Sequence, residues 1–260
     1  MITAFFVFVL GACAGSFCSA LLYRTRHGGS VVTGRSQCTS CKKQLKAVDL
    51  IPIVSWLVAR GRCRYCKARF SWQYLALEVG MGLLFLAAYF RYCGFGYECL
   101  MTPSGLWTAA RLAIFCVFLV LIFVYDARHG EIPDAFSITG GTVALLINIF
   151  MKPGDWMWYL LAAAVGAAFF GAQYVLSRGH WVGDGDILVG AMIGAMVGWP
   201  GVIAALMLAY VLGLAVVIAL MIVKRKKLDD TIAMGPFLAL AAAVVLFVPF
   251  NYFPLFWYAW

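Results

Sequence analysis

The sequence predicts an all-α membrane protein of about eight transmembrane helices, with a small zinc-ribbon-like cytoplasmic segment between the first and second. Three observations carry that prediction: composition, a succession of apolar runs, and the distribution of positive charge. Of the 260 residues, 64% are hydrophobic and only 12% charged, with a mean hydropathy of +0.92. A soluble domain lies nearer half apolar and a quarter charged. Apolar runs long enough, or nearly so, to cross the bilayer fall at about 2–22, 73–91, 108–126, 136–151, 157–177, 187–198, 201–223 and 233–251.

The first run, "ITAFFVFVLGACAGSFCSALLY", has no basic stretch ahead of it and suits a retained span better than a signal peptide. The sixth is short and stops at Trp199-Pro200-Gly201. The one long polar interruption is 23–72. The expected organisation is therefore a first helix at 1–22, a cytoplasmic four-cysteine segment at 23–72, and a transmembrane bundle at 73–260.

Charge sets the orientation. Seventeen of the twenty Lys and Arg residues lie in 23–72 and in the loops 127–135, 178–186 and 224–232. With eight spans these all share one side, leaving only Arg91, Arg111 and Lys152 opposite. The positive-inside rule makes the basic side cytoplasmic and puts both termini outside. The net charge of +9 then reads as orientation and contact with anionic membrane lipid, not as nucleic-acid binding.

Within the polar segment, Cys38 and Cys41 form one CxxC and Cys63 and Cys66 another, in "CTSCKKQLKAVDLIPIVSWLVARGRCRYC". Two such turns supply four thiolates for a tetrahedral zinc site with no open position, which makes the metal structural. Redox-active or unliganded thiols are the alternative; structural disulfides are disfavoured in a reducing compartment. Cys13, Cys18 and Cys116 lie in spans and read as packing residues. Cys93 and Cys99 fall in an expected external loop, where a disulfide is open to them.

Three carboxylates stand near cytoplasmic helix ends. Asp126 closes the third run in "FLVLIFVYDARHGEIPD", and Asp184 and Asp186 open the sixth in "VGDGDILVGAMIGAMVGW". Pairing of Asp126 with Arg128 and helix capping by Asp184 or Asp186 would account for each singly. Asp126 and Asp186 together suggest more: two acids at one depth can share a proton, one activating water while the other donates to a carbonyl. Gly183 and Gly185 would let an extended substrate backbone come close. Glu78, at the start of the second run, reads either as the partner of a cytoplasmic Arg or as a group near a bound cofactor or amine. His27, His129 and His180 are scattered and read as solvated residues.

Gly183-Asp184-Gly185-Asp186 fits the GxGD motif of intramembrane aspartyl proteases, and with the paired CxxC turns the chain resembles the type IV prepilin peptidase family. "GSFCSALLYR", "DLIPIVSWLVARGRCRYC", "WQYLALEV", "YDARHGEIPD", "GDGDILVGAMIGAMVG" and "AMGPFLALAA" resemble that family's motifs in order through most of the chain. Cys18, Thr39, Leu50 and Leu75 depart from it, all in the N-terminal half. The resemblance implies an inner-membrane aspartyl endopeptidase with Asp126 and Asp186 as catalytic residues and Asp184 in the variable position. Its substrates would be type IV prepilins or type II secretion pseudopilins, cut at the cytoplasmic face. It also implies N-methylation of the new terminus with S-adenosylmethionine, to which Glu78 would contribute. A proton-coupled transporter is the rival. A relay favours acids at mid-depth, whereas these two are expected at the rim.

Overall fold

The computed structural model describes residues 2–29, 35–94, 98–223 and 233–248. The basic stretch Lys224–Lys227 and the end of the eighth expected span lie outside them. Among the described residues the regular elements are helices, and β pairing is confined to two isolated bridges. In chain order they are α1 (Ile2–Arg26), a 3-10 turn (Ala47–Leu50), α2 (Val54–Val58), α3 (Trp72–Cys93), α4 (Glu98–Met101), α5 (Pro103–His129), α6 (Asp134–Met151), α7 (Trp156–Ser177), α8 (Asp184–Val197), α9 (Gly201–Ile222) and α10 (Gly235–Phe247). The all-helical membrane class is borne out.

Six of these helices, α1, α3, α5, α6, α7 and α9, are long and apolar enough to cross a membrane. The other two expected spans are shorter. With 14 residues, α8 reaches about 21 Å against a hydrocarbon core of about 30 Å. It tolerates this because α6, α7 and α10 pack around it, so little of its backbone meets lipid. Over the described residues α10 is likewise short, at 13 residues.

The chain divides into two compact units, 1–117 and 118–260, with the boundary inside α5. In the first unit, α1 packs along α3, with Gly11 and Gly15 against the α3 backbone at Met81 and Leu77. Ser71 caps α3, its Oγ accepting from the Gln73 N–H at 3.3 Å. At the far end of α3, its last residue, Cys93, is joined by a disulfide to Cys99 of α4.

In the second unit the central contact is α7 on α8. A Cβ at Gly190 would strike Gly166, and one at Gly194 would strike the Ala162 carbonyl oxygen. Small residues four apart on both helices therefore let the backbones touch, the usual way helices associate where lipid removes the hydrophobic drive. Asn148, fully buried on α6, donates from Nδ2 to the Ala195 carbonyl at 2.8 Å near the end of α8. These contacts fix the middle and the C-terminal end of α8, and its first turn carries the acidic pair.

Candidate active site

Asp126 lies near the C-terminal end of α5 and is 4% exposed. Its Oδ2 accepts the Gly235 N–H at 2.8 Å, the first residue of α10. An oxygen at a helix N-terminus is where unsatisfied N–H groups and the helix dipole both favour negative charge. No room remains for a side chain there: a Cβ on Gly235 would come within 2.5 Å of that oxygen. The simpler expectation for Asp126, pairing with Arg128, is not what is found; its oxygen is held by backbone 109 residues away.

Asp186 is the third residue of α8 and is 8% exposed. Its Oδ2 accepts the Gly183 N–H at 3.1 Å across the first turn. Asp184, two residues earlier, is exposed, and its Oδ1 accepts from its neighbour Gly185, at 2.9 Å. A separation of two residues turns the side chains about 200° apart on a helix, so one points inward and the other out. Asp126 and Asp186 are near enough to interact electrostatically. Each keeps one oxygen tied to a backbone N–H. Gly185 faces the Ile132 side chain, 3.2 Å from where its Cβ would stand, while a Cβ on Gly183 would meet only Asp186, at 3.9 Å.

The four-cysteine segment builds two matching knuckles. Cys38 exchanges backbone bonds with Lys42 and Lys43, and Cys63 does so with Lys67 and Ala68, at 2.8–3.0 Å. Lys42 and Lys67, each just after the second cysteine of its pair, take positive φ of 56° and 60°. The four Sγ atoms lie within 4.8 Å of one another, and Cys38 Sγ to Cys66 Sγ is 3.8 Å. A tetrahedron with bonds of about 2.3 Å separates its ligand atoms by about 3.8 Å, so the cluster fits zinc. Burial would raise the Cys38 thiol, but N–H groups of Cys41 and Ser40 and the neighbouring thiols outweigh it and bring it down to about 7; at Cys66 the Ala68 N–H would lower it, but burial and the other three thiols push it up to about 11, as expected of thiols sharing protons in one cluster.

Glu78 is buried on α3, where its Oε2 accepts the Ile53 N–H at 2.7 Å. The expected arginine partner is absent among the described residues. Ile53 pays for this contact with a φ of 64°, unusual for a β-branched residue. Glu78 lines a cavity of about 500 Å³ enclosed by α1, α3 and the cysteine segment, together with Tyr23, Arg24, Trp56, Arg62 and Tyr74. That volume is in the range of small-molecule sites, about 300–1,000 Å³. Sequence reasoning did not single out Ser16, Trp56 or Gly235 as site residues. Their motifs were legible, but the partners that give them meaning are remote in the chain.

The N-terminal part, residues 9–92, matches the family model described as the bacterial peptidase A24 N-terminal domain, and residues 113–218 match the type IV leader peptidase family. A Bacillus subtilis (strain 168) protein named prepilin leader peptidase/N-methyltransferase is 30% identical over 239 residues, covering 90% of this chain and 92% of its own. The chain belongs to the type IV leader peptidase family. Relatives with the same name include one from Pseudomonas putida, 28% identical over 92% of this chain and 88% of its own, and one from Myxococcus xanthus (strain DK1622), 31% identical over 84% of this chain. The chain spans 63% of the length of the Myxococcus relative. No solved structure matches. Family membership and six apolar helices make it a multi-pass inner-membrane protein, and the resemblance read from its motifs is borne out.

Proposed function

We propose that this protein is a prepilin leader peptidase that also N-methylates its product, with Asp126 and Asp186 as the catalytic residues. The observation that carries the peptidase reading is the pair of buried carboxylates, each with one oxygen held by an N–H at a different helix start. Fixing one oxygen of each leaves the other for water and for the scissile carbonyl. One carboxylate takes a proton from water as it attacks, and the other, protonated, donates to the carbonyl oxygen. Asp184, exposed on the opposite side of α8, takes no part. Gly183 and Gly185 border the site, and Gly185 also makes room for Ile132.

The substrates are type IV prepilins or type II secretion pseudopilins, membrane helices with a short basic leader. The peptidase bundle corresponds to 73–260, following the first helix at 1–22. The segment 23–72 is a zinc ribbon held by Cys38, Cys41, Cys63 and Cys66, the metal being structural because four thiolates close its coordination. The methyl donor is S-adenosylmethionine. The active site faces the cytoplasm and both termini face out. A thiolate cluster ahead of one end of α3 and a disulfide at the other support that orientation, since the first suits a reducing compartment and the second an oxidising one. Names of the relatives favour peptidase over proton-coupled transport.

Detergent-solubilised protein incubated with a prepilin and S-adenosylmethionine should yield a shortened product with a methylated N-terminus, read by mass spectrometry. Folded protein that leaves every prepilin and pseudopilin intact would overturn the reading.

A further inference from the structure

A polar contact joins α7 to α9 where both helices face lipid. Tyr210 is the only polar side chain among the 22 residues of α9, and Gln173 is the only amide on α7. The Tyr210 hydroxyl donates to Gln173 Oε1 at 2.7 Å, and Gln173 Nε2 donates to the Phe169 carbonyl at 3.3 Å. The Phe169 ring stands edge-on to Tyr210, with centroids 5.7 Å apart. Tyr210 is 38% exposed and stands midway along a helix of membrane length, so its open edge meets acyl chains rather than water. A hydroxyl and an amide are costly there unless something polar comes to them.

The pair also lies at the acid site. Gly166 against Gly190 and Ala162 against Gly194 set α7 and α8 antiparallel. The same register, carried on, puts Gln173 level with Gly183, whose N–H holds Asp186. Tyr210 is near enough to Asp186 to interact electrostatically. Bonding capacity remains on both side chains: the Tyr210 oxygen can accept, Gln173 Oε1 keeps a lone pair and Nε2 keeps an N–H. A substrate peptide bond is open to attack only once it leaves its helix, and in hydrocarbon every N–H and C=O freed by unwinding needs a partner. Acceptors and a donor side by side are what a short extended stretch of chain requires.

We propose that Tyr210 and Gln173 receive the substrate backbone where the start of its membrane helix is pulled straight, and that the substrate reaches Asp186 across the lipid-facing edge of α7 and α9. The proposal rests on the peptidase reading above and adds the route and the residues that hold the unwound segment. The Tyr210 oxygen or Gln173 Oε1 accepts a freed substrate N–H, and Gln173 Nε2 donates to a freed carbonyl. The two side chains act on the conformation of the substrate, and proton exchange stays with Asp126 and Asp186. Gly183 leaves its own backbone open on the same level, since a Cβ there would meet only Asp186, at 3.9 Å.

The test compares two substrates of the full-length protein: whole prepilin, and a short soluble peptide spanning the cut, which has no helix to unwind. Tyr210→Phe and Gln173→Leu remove the polar groups and keep most of the bulk. Each should lower kcat/KM for whole prepilin by about tenfold, as loss of one hydrogen bond does, and for the peptide by less than about twofold. Equal losses on both substrates would mean that the pair only shapes the site, and an unchanged rate on prepilin would mean that it bonds nothing; either result overturns the proposal. In Asp186→Asn protein, which should keep the substrate whole, a photo-crosslinking benzophenone residue in place of Met207, exposed on α9 one turn from Tyr210, should capture prepilin. The same residue in place of Leu146, exposed on α6, should not. Capture from Leu146 alone, or lipid alone captured at Met207, would also overturn it. Parent protein that cleaves neither substrate would instead remove the peptidase reading itself.

Discussion

The two units bury carboxylates by opposite means. In the second, Asp126 and Asp186 are closed in by helix packing, and each spends one oxygen on a single backbone N–H at a helix start. In the first, Glu78 accepts from Ile53 but borders a cavity of about 500 Å³. The difference follows from what covers each acid. Around α8 the cover is other helices, with glycines that bring backbones into contact. Over Glu78 it is a segment held by cysteine knuckles, a small domain without much core that arches over space rather than filling it. Tight enclosure suits proton exchange with one water, and open enclosure suits a small molecule.

The largest expected effect lies in the tight unit. Asp126→Asn and Asp186→Asn should each lower prepilin cleavage by at least about 100-fold, because an amide keeps the shape but cannot exchange the proton. Asp184→Asn should keep a substantial fraction of the rate. The parent's cleavage rate should trace a bell against pH, its two apparent pKa values belonging to the pair. Full activity in all three variants would erase the proposed contrast between the units.

Gly235→Ala comes next. The new methyl would lie within 2.5 Å of Asp126 Oδ2 and 3.0 Å of its Cβ, so α10 or the carboxylate must move. Cleavage should fall by about 10- to 100-fold, since displacements of about 1 Å in an active site have that cost. Thermal melting followed in parallel would show whether the loss is local; a parental rate would show that the Gly235 contact does not position Asp126.

Opening the ribbon should act on the other unit. Cys38→Ser with Cys63→Ser should reduce zinc from about one per chain to near none, because metal binding and local folding are coupled. Limited proteolysis should then cut within 35–70, with cleavage of prepilin falling less than in the aspartate variants. Protein purified without chelator that contains no zinc on elemental analysis would contradict the metal assignment.

The smallest effect is expected at Gly185→Ala. A Cβ there meets the Ile132 Cβ at 3.2 Å, a contact that a few tenths of an ångström relieves. Cleavage should stay within about threefold of the parent, as for a small overpacking with room to relax. A collapse of activity would mean that substrate backbone, rather than Ile132, needs the missing side chain.

Much of this was legible in the order of residues, where the governing physics is local. Apolar runs of membrane length identify themselves, because the bilayer sets a length and the helix a rise per residue. The paired CxxC turns predict a four-thiolate cluster because each turn aims two sulfurs from within four residues. That only one of Asp184 and Asp186 faces inward follows from helical geometry once α8 is granted; the GxGD resemblance implied that it is Asp186. The length of α8 was harder: a helix of 14 residues is short for a span, and only the helices packed around it account for it.

Tertiary structure alone decided the partners of the acids. Asp126 was readable as a carboxylate at a helix end, but its bond to Gly235 depends on α5 and α10 meeting across 109 residues. Glu78 was readable as a buried acid seeking an arginine, yet it meets a strained Ile53, drawn from the chain just ahead of α2. No local rule links these pairs, because they are consequences of which helices pack together. The cavity beside Glu78 is set the same way: it is the space that the folded ribbon does not fill, and a volume left empty by several elements belongs to none of their sequences.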